Sequence, residues 1–92
     1  MEPVFIRKPT DEERALLESQ PIWEHEVATW DTVYDEREET CLVVSGHAIV
    51  TTRDGVAYSF GPGDLVTFAS GLDCTWSVVE GISKHYIFDM NK

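Results

Sequence analysis

The chain is short of positive charge. Seven Lys and Arg stand against seventeen Asp and Glu, a formal net charge of −10. No basic stripe is available to track a phosphate backbone or an anionic bilayer, so neither a nucleic-acid nor a membrane partner is expected. Long apolar runs are also missing. No stretch reaches the roughly 18 residues that a membrane-spanning helix needs. Met1 to Lys8 has no basic segment ahead of a long apolar one, so no signal peptide is expected. Cysteine is scarce: Cys41 and Cys74 are far apart and show no Cys-x-x-Cys spacing. Free thiols in a reducing, cytoplasmic setting are the expectation. The three histidines, His25, His47 and His85, form no spaced ligand cluster. Repeats, linkers and low-complexity segments are absent.

What is present is ordinary globular composition, 42% hydrophobic and 26% charged, in 92 residues. That length makes one domain, 1–92, with a terminal piece over 1–20 and a body over 21–90. So small a domain buries a modest share of its surface, so a homodimer is expected. Eleven of the seventeen acidic residues lie between Asp11 and Glu39, which concentrates the negative field in the first half.

The Gly61–Trp76 stretch, GPGDLVTFASGLDCTW, organises the rest. Gly61-Pro62-Gly63 is turn chemistry, Leu65 to Phe68 a strand, Ala69-Ser70-Gly71 a corner and Cys74 to Val78 a second strand. Ahead of it, Val4 to Lys8 reads as an edge strand. Thr10-Asp11-Glu12-Glu13 reads as a capping box opening a helix over 11–19, which Pro21 stops. The helix should pack through Leu16 and Leu17. Trp23 to Tyr34 reads as one long or bent strand, Asp35 to Glu38 as a charged loop and Glu39 to Val44 as a strand ending at a Ser45-Gly46 turn. His47 to Thr52 and Val56 to Phe60 flank an Asp54-Gly55 hairpin signal. Glu80-Gly81 reads as a turn before a last strand, Ser83 to Asp89. About eight short strands with turns between them predict an all-β sandwich or barrel with one short N-terminal helix.

Side chains alternate across a strand. An inward Glu39 brings Cys41 and Val43 inward with it, and an inward Cys74 brings Trp76 and Val78. On the last strand, Lys84, Tyr86 and Phe88 are the preferred inward set over Ser83, His85 and Ile87. The interior then holds a carboxylate, two thiols, aromatic walls and an amine. A buried carboxylate is costly unless paired or bound to a metal, so this set points to a pocket.

Here the pattern resembles a known family. Glu39, six residues and Gly46 resemble the second half of the first cupin motif. Gly63, five residues, Ala69-Ser70-Gly71, two residues, Cys74, three residues and Val78 resemble the second. Glu39-Thr40-Cys41, Gly63 to Phe68, Cys74-Thr75-Trp76 and Lys84-His85-Tyr86 are similar more narrowly to single-domain cupins grouped with (S)-ureidoglycine aminohydrolase. The resemblance runs from Pro21 to Phe88 and implies a jelly-roll β-barrel. Cupins usually hold a divalent metal with histidines and a carboxylate. Here Thr32, Val33, Tyr34 and Asp35 replace the first-motif histidine pair, and Cys74 stands at the second-motif ligand position. The ligands that the resemblance leaves are Asp35, Glu39 and Cys74, for one Zn, Mn, Fe or Ni ion. It also places Tyr86 where an aromatic touches substrate.

Each residue has a plainer alternative. Glu39 is a ligand or base, or a carboxylate paired with Arg37 or Lys84. Cys74 is a ligand, a nucleophile or a buried hydrophobe, and Cys41 is core. Tyr34, Trp76, Lys84 and Tyr86 bind substrate, or else cap, fill or solubilise the domain. Three functions follow. The first is a metal enzyme acting on a small polar metabolite such as a ureide, amide or oxo acid, with Glu39 and Cys74 catalytic. The second is a non-catalytic module for a small-molecule ligand. The third is a metal-free thiol enzyme using Cys74.

Overall fold

The computed structural model describes residues 3–91. The element order is β1 (Val4–Arg7), α1 (Asp11–Glu18), β2 (Ile22–His25), β3 (Ala28–Val33), β4 (Glu39–Thr52), β5 (Ala57–Phe60), β6 (Leu65–Phe68) and β7 (Asp73–Phe88). All pairings are antiparallel.

Two strands carry the domain. β4 and β7 pair along almost their whole lengths, from Glu39 opposite Phe88 to Thr52 opposite Cys74. The expected turns at Ser45-Gly46 and Glu80-Gly81 are instead irregularities inside these strands. The register shifts between Val43 and Ser45, between Ser45 and His47, and between His47 and Ala48. Such bulges bend a strand without ending it. Gly46 takes φ +86°, and a Cβ there would lie 2.1 Å from the Gly81 carbonyl oxygen. Turn-forming residues here serve a close crossing of two backbones.

The bend divides the sheet into two halves. On one side β6 pairs with Glu39–Leu42 of β4 and with β1, while β2 pairs with 82–85 of β7. On the other side β5 pairs with 48–51 of β4, and β3 with 73–78 of β7. The long strand expected over 23–34 is therefore two strands. β2 and β3 serve opposite sides of the bend and part at Glu26-Val27. One apolar cluster contains Val43, Phe68 and Ile82 from the first half and Val50, Trp76 and Val78 from the second, so the halves face each other. The hydrogen-bonded path runs β1-β6-β4-β7-β2 without returning on itself. The fold is mostly β-sheet with one short helix, and it forms an open cup where a closed jelly-roll barrel was expected.

Helix α1 begins as expected. The Glu13 amide donates to Thr10 Oγ1 at 3.2 Å, and Glu13 Oε1 accepts from the Thr10 amide at 2.9 Å. Arg7 clamps the same carboxylate at 2.5 and 2.6 Å. With those donors the Glu13 carboxyl is held down at about 2. Leu17 is fully buried against Leu42 and Leu65 on the outer face of the first half. Leu16, expected to pack beside it, is 40% exposed, because the next residue round a short helix points away from a sheet that only one stripe can touch. The helix thus buries the outer side chains of β4, leaving Glu39, Cys41 and Val43 to the inside.

Gly46→Ala is expected to cost about 3–5 kcal/mol, the sum of left-handed strain and a backbone clash. Gly55→Ala, at φ +89° but with nothing within 4 Å, is expected to cost only about 1 kcal/mol. Urea unfolding of both variants checks the difference. Equal losses would mean that the crossing imposes no constraint of its own.

Candidate functional site

The cup opens between the two halves. Its cavity of about 360 Å³ is lined by Trp23, Trp30, Thr32, Tyr34, Glu39, Trp76, Lys84, Tyr86 and Phe88. Register explains the set. Phe88 lies opposite Glu39, Tyr86 opposite Cys41, Trp23 opposite Lys84 and Trp30 opposite Trp76, and directly opposed residues share a face. Glu38 and Asp89 tie the loop before β4 to the end of β7. The Asp89 amide donates to the Glu38 carbonyl at 2.7 Å, and Asp89 Oδ1 accepts from the Glu38 amide at 3.1 Å.

Polar groups converge at the cup floor. Trp76 Nε1 donates to the Tyr34 hydroxyl at 3.2 Å, and that hydroxyl donates to Glu39 Oε1 at 3.1 Å. Lys84 Nζ donates to the same oxygen at 3.4 Å and to Cys41 Sγ at 3.0 Å. The Lys84 side chain is only 5% exposed and that of Glu39 11%. Lys84 Nζ also lies 4.9 Å from the Trp23 ring centre and 5.1 Å from that of Trp76, within cation–π range.

These contacts set the protonation states. Burial pushes the Cys41 thiol up to about 12, so it is a neutral acceptor at neutral pH. Burial pulls Lys84 toward neutrality, but Cys41 and Glu39 outweigh it and raise the ammonium above its ordinary 10.5. Lys84 is therefore an ammonium at neutral pH, with Glu39 Oε1 3.4 Å away. Burial, and then the nearby Glu39, raise the Tyr34 phenol far above its usual range, so its hydroxyl stays a donor.

Tyr34, Glu39, Trp76, Lys84 and Tyr86 therefore meet in one cavity. The pairing of Glu39 with Lys84, one of its two plainer alternatives, is present. Two candidates lie elsewhere. Asp35 is on the exposed loop, 3.0 Å from Arg37, whose guanidinium lowers the carboxyl. The charged loop sends Asp35 outward because Gly71 donates to its carbonyl and Arg37 claims its side chain. Cys74 shares the inward face but is fully buried in the apolar cluster and does not line the cavity. Burial raises its thiol to about 11. Cys41 is core, as expected, and does not line the cavity either, but its sulfur accepts from Lys84 beneath the floor. Trp23, Trp30 and Thr32 were missed as site residues. The alternation Trp30, Thr32, Tyr34 already put the last two on one face with Trp30.

The donor set does not fit a divalent metal. Among the described residues, no group of three or more His, Cys, Asp or Glu could hold one. Glu39 Oε1 and Cys41 Sγ already accept from the Lys84 ammonium, and the Tyr34 hydroxyl oxygen accepts from Trp76. A larger hollow of about 560 Å³ lies at the bend beside Glu24, His25, Glu26, Ser45 and Gly81 to Ser83. It is the more open of the two and lacks the buried charge pair, so the cup is the stronger candidate.

Glu39→Gln and Lys84→Met should each lose about 2–4 kcal/mol, since each leaves a buried charge without its partner. The double variant should lose well under the sum. Chemical denaturation of the four proteins checks this, and additive losses would mean that the pair is not coupled. The folded Lys84 value is raised, so the pair contributes fully below pH 10.5 and fades as pH climbs past it. The wild type should therefore lose more stability in that window than Lys84→Met.

Comparison with known proteins agrees with this fold. The model of the EutQ-like cupin domain matches residues 12–86. A DUF861 family protein from Thermotoga maritima is 46% identical, with TM-score 0.83 over 91% of this chain and 97% of that one. The EutQ protein of Clostridium difficile superposes with TM-score 0.66 at 21% identity, covering 92% of this chain and 66% of its own. A putative ethanolamine utilization protein Q from Salmonella typhimurium gives 0.65 at 13% identity, covering 92% and 68%. The last two likenesses show the fold alone. No curated protein matches the chain.

Proposed function

The chain belongs to the EutQ-like cupin domain family, and from that premise we propose that its cup binds a small planar metabolite through a carbonyl or carboxylate oxygen, without a metal ion. The observation that carries this reading is the Lys84 ammonium, almost fully buried at the floor of an aromatic cavity. Burying an ion pair costs several kcal/mol that an apolar pair would not, so stability alone is a poor reason for it. A ligand oxygen reaching Lys84 gains a charge-assisted hydrogen bond in a site of low dielectric. Trp30 and Trp76 stack on each other with ring planes 10° apart, and with the edge-on Trp23 they form an aromatic wall against which an unsaturated body can pack.

The volume of about 360 Å³ lies at the small end of ligand pockets, which suits a metabolite of a few heavy atoms. Oxo acids, amides and ureides have the required shape. The narrower likeness to (S)-ureidoglycine aminohydrolase supports that ligand class and no particular reaction. Tyr34 and Tyr86 complete the wall. A homodimer belongs to the same proposal. β1 and β2 end the sheet path, and Ile22 and Val27 beside that second edge are 52% and 65% exposed.

Tryptophan fluorescence titrated with small carboxylates and amides should show saturable quenching that chelator leaves unchanged. Lys84→Met should weaken it about tenfold or more, the loss of a buried charge-assisted bond. Near-stoichiometric metal in the purified wild type, lost in Glu39→Ala, would overturn the metal-free reading. Sedimentation equilibrium should give twice the chain mass at micromolar concentration, and a monomer there would remove the dimer.

A further inference from the structure

We propose that Lys84 is a nucleophile that captures a small aldehyde or 2-oxo acid in the cup as an imine, with Glu39 carrying the protons. This rests on the reading of the cup as the ligand site and names its chemistry.

The chain has three lysines, Lys8, Lys84 and Lys92. Lys8 is exposed and paired with Asp64, and among the described residues Lys84 is the amine that lines a cavity. A lysine enclosed by apolar walls with a carboxylate beside it has what imine formation needs: a desolvated amine and a nearby proton acceptor. Trp23, Trp76 and Tyr86 supply the walls. Glu39 Oε1 at 3.4 Å supplies the acceptor, and the Tyr34 hydroxyl at 3.1 Å holds that oxygen in place. The Cys41 thiol at 3.0 Å aims the amine. Lys84 rests as an ammonium. Moving its proton to Glu39 turns an ion pair into two neutral groups, which costs less once a ligand covers the mouth and displaces water.

The steps balance. The Lys84 ammonium gives a proton to the Glu39 carboxylate. The free amine attacks the carbonyl carbon, an N–C bond forms, and the C=O π pair moves to oxygen. Glu39 protonates that oxygen and then takes a second proton from the nitrogen. It returns this proton to the hydroxyl, which leaves as water while the nitrogen lone pair forms C=N. The sum is ammonium plus carbonyl giving iminium plus water, with Glu39 regenerated and no oxidant or reductant consumed.

The test is trapping. The full chain is incubated with millimolar pyruvate and cyanoborohydride, which delivers hydride only to an iminium, and the adduct is located by peptide mass mapping. Lys84 should be labelled at least about tenfold faster than Lys8 or Lys92, the gain from holding the carbonyl in place. Glu39→Gln should slow labelling of Lys84 about a hundredfold and leave the other two amines unchanged. Lys84→Arg should abolish the enclosed adduct while keeping the charge. If these variants fail to fold, the distribution over the three lysines in the wild type still decides. Labelling of Lys84 no faster than Lys8 overturns the inference. Fluorescence titration with pyruvate, without reductant, separates the two readings. Saturable quenching without a Lys84 adduct leaves a binding site and removes the imine. Absence of both across pyruvate, glyoxylate and acetamide removes the ligand site as well.

Discussion

The structure depends on one close crossing. At Gly46, β4 passes so near the Gly81 backbone of β7 that no side chain on Gly46 fits between them. Because the strands bend there without stopping, each runs through both halves of the sheet. The same two strands therefore build the floor and one wall of the cup. Glu39, Cys41 and Lys84 lie on one side of the bend, and Trp76 on the other. β1, β2, β3, β5 and β6 all pair with this spine or with a strand that does. Removing the crossing would separate the two faces whose approach makes the cavity.

The cup floor is a closed polar chain in an apolar shell. It runs from Trp76 through Tyr34 to Glu39, and from Lys84 to both Glu39 and Cys41. Among the described residues no buried side-chain nitrogen or oxygen lacks a partner. Such a chain holds its members in one geometry, because a shift of any one leaves another unsatisfied in a medium of low dielectric. At the cup floor this chain carries a cation on a lysine side chain. An ammonium offers a donor and, after losing a proton, a nucleophile. It does not offer the Lewis acidity or bound water of a metal ion.

Much of this was legible in the chain. The capping box, the helix, the short strands and the cupin-like motif spacing all rest on local rules, and local rules act wherever the residues occur. Strand alternation put Lys84, Tyr86 and Phe88 inside together, with Glu39 and Trp76. The same rule applied to β3 would have added Trp30 and Thr32. The role of Cys41 was not legible. Its sulfur meets Lys84 across a diagonal of two strands 43 residues apart, a contact set by register.

Composition and spacing alone determined a small acidic β-domain with one capped helix and an aromatic interior holding a carboxylate and an amine. Periodicity and turn chemistry operate over a few residues. The tertiary structure decided that two glycine turn signals are bulges, that the sheet stays open, that Asp35 faces out, and that Cys74 is core while Cys41 meets the lysine. Each of these depends on which backbone lies opposite which. That pairing is a long-range choice, made by packing two halves of a bent sheet against each other, and nothing within a short window of sequence records it.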